Sequence, residues 1–152
     1  MDPKFSVFII VGRPPSEVFE AVADPGKLSA YFTTGGAKGR LEEGATVTWD
    51  FHDFPGAFPV EVDEVVENER IALRWDANEG GEPAGYQTNV IFTFSPLDSG
   101  ERTKVELEEH GWRDSEAGLK ASYGNCMGWS QMLCALKVWA EHGINLREGA
   151  YK

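Results

Sequence analysis

The run from Ser115 to His142 contains no proline and predicts one long helix near the end of the chain. Projected at helical periodicity, Leu119, Ser122, Cys126, Trp129, Leu133, Leu136 and Ala140 fall on one side, a stripe that mixes apolar residues with small ones. Twenty-eight residues at the helical rise span about 42 Å, longer than a small sheet is wide. A rod of that length cannot bury its own stripe. What precedes it must supply the other half of the core.

The preceding chain reads as short alternating strands with two small helices near its start. Phe5–Val11 is a β-branched, apolar strand ended by Gly12-Arg13-Pro14-Pro15, and prolines suit the first turn of the helix that follows. Asp24 before Pro25 reads as the cap of a second short helix carrying Leu28, Tyr31 and Phe32. Then come the rows Val47-Trp49-Phe51, Phe58-Val60-Val62, Ile71-Leu73-Trp75, Tyr86-Thr88-Val90-Phe92-Phe94 and Thr103-Val105-Leu107-Glu109, each with polar residues between. Asn78–Gly85 reads as a polar loop. The spacing predicts an antiparallel meander of about six strands, curved around the terminal helix, in an α+β fold. At 152 residues with no linker or repeat, the chain reads as a single domain over residues 1–152.

Fourteen basic against twenty-five acidic residues give a net charge of −11, a field that repels phosphate backbones and anionic lipid surfaces. Nucleic acid and membrane are therefore excluded as expected partners. Cys126 and Cys134 lie about 12 Å apart along a helix axis, too far for a disulfide. Met1-Asp-Pro-Lys is not read as a secretory leader, so the expected location is cytoplasmic and reducing. His52, His110 and His142 share no ligand spacing with one another or with the cysteines, and no phosphate loop, dinucleotide fingerprint or nucleophile elbow occurs. No metal and no cofactor are expected.

Two features point to a site. Two-residue periodicity puts Glu109 on the same inward face as Val105 and Leu107; it is either a desolvated carboxylate in a pocket or a wet one where the strand frays. The second is aromatic mass. Trp49, Phe51, Trp75, Phe92 and Trp129 occupy inward positions, with Tyr31, Phe32, Trp112 and Tyr123 placed to close the ends. Such rings either fill a core or line a pocket. The polar members Tyr86, Thr88, Ser122 and Tyr123, with small Ser122 and Cys126 on the helix, predict a hollow under its first turns. Trp129, Leu133 and Leu136 fill the space farther along.

These elements, in this order, resemble the SRPBCC superfamily, the START-like helix-grip fold shared with the major birch pollen allergen. Within it the chain is similar to the branch named after the activator of the heat-shock protein 90 ATPase. The resemblance is carried by Pro15-x-x-Val18-Phe19 with Asp24-Pro25, by Val65-x-Glu67-Asn68-Glu69-Arg70-Ile71 leading to Trp75, by Thr103-x-Val105-x-Leu107 running into Gly111-Trp112, and by Gly128-Trp129 with Leu133 and Leu136. Relatives often carry His three residues before the Gly-Trp pair, where this chain has Asn125, and Trp where it has Phe19 and Tyr31-Phe32. These departures imply a pocket lining of its own. The resemblance implies a pocket and no shared catalytic residue.

Three functions follow as expectations. The first is binding of a small, mostly apolar, aromatic or lipid-like ligand between helix and sheet, with one donor group of the ligand facing Glu109. The second is a protein-interaction module whose partner, by the family name, is a chaperone. The third is an enzyme of cyclase, dehydratase or hydrolase type using the same cavity, ranked below binding because no inward acid–base pair is visible. Monomer and homodimer both remain open.

Overall fold

A computed structural model describes all 152 residues. Strand β1 (Lys4–Val11) leads to helices α1 (Pro15–Ala23) and α2 (Pro25–Ser29). Strands β2 (Gly36–Lys38), β3 (Thr46–Asp50), β4 (Phe58–Val66), β5 (Arg70–Glu79), β6 (Glu82–Leu97) and β7 (Arg102–His110) follow, and helix α3 (Glu116–His142) comes last. The strands form one antiparallel sheet in the order β1-β7-β6-β5-β4-β3-β2. The expected α+β grip is present with seven strands rather than six. The additional one, β2, spans three residues against Trp49 and its neighbours, too short to show an alternating pattern.

Local chemistry sets the element ends. Pro15 occupies the first turn of α1, where a missing N–H costs nothing. The Asp24 side chain accepts from Gly26 N at 3.0 Å to start α2, and Ser115 accepts from Gly118 N at 3.0 Å to start α3. Gly143, at φ 69°, ends α3 in the left-handed conformation that glycine adopts freely. The segment expected as a loop at Asn78–Gly85 is mostly paired strand instead. Gly80 and Gly81, both at positive φ, close a two-residue hairpin with Glu79 opposite Glu82.

The inward rows read from the sequence point into one cluster of 26 buried apolar residues. Ile71, Leu73, Val90, Phe92, Val105 and Leu107 lose essentially all contact with solvent. Each such side chain contributes about 1.5–3 kcal/mol of transfer free energy. The sheet bends over α3. Lys137 Nζ on the helix donates to Ile10 O of edge strand β1 at 2.8 Å, while Trp129 on the same helix packs at a tilt against Trp75 of β5, ring centroids 5.2 Å apart. No helix is long and apolar enough to cross a membrane.

Candidate functional site

Glu109 lies at the inward end of β7 and is completely buried. Its carboxylate accepts from two neighbouring strands and the helix. Oε2 accepts from Trp75 Nε1 of β5 at 2.9 Å and from Thr88 Oγ1 of β6 at 2.6 Å. Oε1 accepts from Trp129 Nε1 of α3 at 2.8 Å, and Asn125 Nδ2 reaches both oxygens at 3.1 and 3.2 Å. The partners are an indole pair, a hydroxyl and an amide, all neutral. Burial raises the carboxyl pKa above its ordinary value, opposed by the four donors, Thr88 first. Where the sequence led to the expectation of a ligand donor, the protein's own side chains reach both oxygens. The carboxylate ties helix to sheet.

Asn125 was legible in the sequence only as a departure from relatives that carry His. Its place in the cluster follows from a small rotation of α3 about its axis. The buried face runs through Gly118, Ser122, Trp129, Met132, Leu133 and Leu136, which turns Asn125 inward and leaves Cys126 partly exposed. The same rotation sends Tyr123 outward, 65% exposed, so it does not close the site. A mid-helix Asn is a signal in itself, since its amide is usually better satisfied at caps and turns.

Rings fill the space directly beneath α3. Phe92 packs edge-on against Trp129 at 5.6 Å, and Trp49 sits behind Trp75 at 5.9 Å, both fully buried. The opening lies on the flank of the helix instead. Phe32, Phe51, Trp75 and Trp129 converge there beside Gly124 and Gly128 on a cleft of about 240 Å³. A Cβ at either glycine would meet no atom within 4 Å, so the helix backbone is bare on this side. The cleft shares Phe51, Phe54, Trp75, Asn125 and Arg147 with a broader groove of about 770 Å³ that runs to Phe58 and the β5–β6 hairpin. Ring contacts Phe32–Phe51 at 5.1 Å, Phe32–Trp129 at 5.4 Å and Phe58–Trp75 at 5.8 Å hold the walls together.

The remaining expected residues lie elsewhere. Tyr31 is buried, donates to Ala21 O at 2.9 Å and stacks on Trp139 at 5.4 Å, toward the far end of α3. The Ser122 hydroxyl donates back to Leu119 O at 2.6 Å within the helix. Tyr86 donates to Glu79 at 2.6 Å under the guanidinium of Arg113, on the hairpin side. Trp112 packs on Phe5 at 5.6 Å beside a separate polar groove around Lys4 and His110. No sequence pattern announced Arg147 or Tyr151, which follow α3 and fold back over the cleft.

A family model described as "Activator of Hsp90 ATPase homolog 1-like protein" matches residues 13–141. No curated protein matches the chain. Among solved structures, protein SSP2350 from Staphylococcus saprophyticus is 27% identical, with 97% of this chain and 96% of that one covered and a TM-score of 0.75. DynU16, a protein of the dynemicin biosynthetic locus, is 26% identical with a TM-score of 0.77 over 94% of this chain, which spans 49% of DynU16. The Aha1 dimer from Colwellia psychrerythraea has the same fold at 18% identity, with a TM-score of 0.72 over 92% of this chain and 97% of that one.

Proposed function

This chain belongs to the activator of Hsp90 ATPase homolog 1-like family, and from that premise we propose that it binds a small, mostly apolar aromatic ligand on the flank of α3. The observation that carries the reading is the convergence of Phe32, Phe51, Trp75 and Trp129 on a cleft floored by the bare backbone of Gly124 and Gly128. Pockets of this kind hold ligands by apolar contact, with a few polar groups setting orientation. Here the half-buried Asn125, which borders both the cleft and the groove, is one polar group within reach, beside Gln131 and Arg147. The cleft takes a flat ring system, and the groove takes what extends beyond it.

Binding is preferred to catalysis for a physical reason. Glu109, the carboxylate bonded to the cleft residues Trp75, Asn125 and Trp129, is sealed and engaged at both oxygens, which leaves it no free position for proton exchange with a substrate. A chaperone partner, suggested by the family description, would need a docking face, and the exposed apolar side chains such as Phe8 on β1, Val66 on β4 and Tyr123 on α3 are spread over several elements.

The test is a thermal-shift and tryptophan-fluorescence screen of neutral aromatic metabolites, repeated with Gly128→Leu. A binding compound at about 100 times its Kd adds about 2.7 kcal/mol of stability. Leucine at position 128 fills open space, so its variant keeps its fold and loses the ligand. Equal binding by that variant, or no binding compound at all, refutes the reading.

A further inference from the structure

We infer that residues 144–152 form a latched strap that separates adjoining clefts on the flank of α3, and that lifting it admits a longer ligand. The inference rests on the proposed binding reading and concerns how that site is opened.

The strap is a self-contained turn. Asn145 Oδ1 accepts from the amides of Arg147 at 3.0 Å and Glu148 at 3.2 Å, and Ala150 N donates to Arg147 O at 3.0 Å. No backbone hydrogen bond joins residues 144–152 to the rest of the protein. Ile144 and Leu146 are 56% and 46% exposed, so its aliphatic side chains do little to hold it down. It is fastened through side chains to the loop after β3. Arg147 Nη2 donates to Asp53 Oδ1 at 2.9 Å, its guanidinium lies 4.4 Å from the Phe51 ring and 4.7 Å from that of Tyr151, and Tyr151 meets Phe54 at 6.1 Å.

Two observations make this latch releasable. The ion pair is buried, with side-chain exposures of 10% and 3%, yet Arg147 Nε and Asp53 Oδ2 have no partner. A buried pair offsets its desolvation only when its remaining polar atoms are also bonded. This one is half satisfied, and opening would hydrate both ions. Secondly, Arg147 borders three concavities at once: the cleft of about 240 Å³, the groove of about 770 Å³, and an apolar slot of about 310 Å³ between the strap and Met132, Ala135 and Tyr31. It is the side chain common to all three.

The test uses neutral Nile red, whose binding does not respond to the charge removed, together with hydrogen exchange read by mass spectrometry. In the wild-type protein, strap amides exchange far faster than those of residues 129–136 in α3. Asp53→Asn releases the latch and tightens Nile red binding about fivefold, because the open state no longer has to be bought back from the closed one. A chain ending at Gly143 does the same. Strap amides as protected as those of α3, or Nile red binding that Asp53→Asn leaves unchanged or weakens while α3 stays protected, overturns the strap alone. Nile red that binds neither the wild type nor either variant overturns the binding reading and the strap with it.

Discussion

Replacing Glu109 tests whether a buried anion held by neutral donors stabilises this fold or burdens it. Glu109→Leu keeps a side chain of similar reach and removes the acceptor for Trp75 Nε1, Thr88 Oγ1, Asn125 Nδ2 and Trp129 Nε1. Trp75 and Asn125 are only half-buried, so water can take over their hydrogen bonds. Thr88 and Trp129, 0% and 2% exposed, have no such recourse. Each stranded donor costs about 1–3 kcal/mol, so the variant is expected to lose about 2–6 kcal/mol. Glu109→Gln retains one acceptor oxygen and turns an NH₂ toward donors. Asn125 can rotate its amide to accept from it, which limits the expected loss to about 1–3 kcal/mol. Urea unfolding followed by far-UV circular dichroism gives both values without relying on the tryptophans at the site. The order wild type, Gln, Leu is the expected result. A Leu variant within about 1 kcal/mol of wild type would refute the reasoning, because the cost of burying the charge would then equal everything its donors return.

The same carboxyl sets a pH dependence whose sign is fixed. Burial raises its folded pKa above the ordinary 4.5, so the folded protein holds the proton to higher pH than the unfolded chain does. The corresponding stability is fully present below 4.5 and is lost as pH rises through the folded value. The stability of the wild type relative to Glu109→Gln should therefore shrink across that window, and a gap that widens with pH in parallel urea titrations would contradict it. Two helix glycines should respond oppositely to alanine. Gly118→Ala drives a Cβ to 2.2 Å from Arg113 O and is expected to cost about 1–3 kcal/mol. Gly124→Ala enters open space and is expected to gain about 0.5–1 kcal/mol. A melting temperature for Gly118→Ala that matches or exceeds wild type would show that the close approach at Gly118 is relieved at no cost.

Much of the frame was legible in the sequence because it is written in local periodicity. Alternation along Thr103, Val105 and Leu107 placed Glu109 inward, and the structure buries it fully. Pro15 and Asp24 marked helix starts through their own backbone chemistry. The three-residue strand β2 escaped notice because a segment that short carries no period. Asn78–Gly85 was misread because its composition suits a loop, whereas two glycines at positive φ suffice to pair its flanks.

What closes around Glu109 depended on neighbours far along the chain. Thr88 and Trp75 lie 21 and 34 residues away in sequence, and Asn125 enters only because α3 settles with its face turned toward Met132 rather than Cys126. Side-chain spacing fixes a stripe to within part of a turn; the packing of Trp129 against Phe92 and Trp75 selects the angle. The strap shows the same limit more sharply, since Arg147 meets Asp53 across 94 residues with no pattern to announce it. Periodicity in the chain determines which way each element faces. The contacts that decide whether a polar group is satisfied, and where space is left over, exist only once those elements meet.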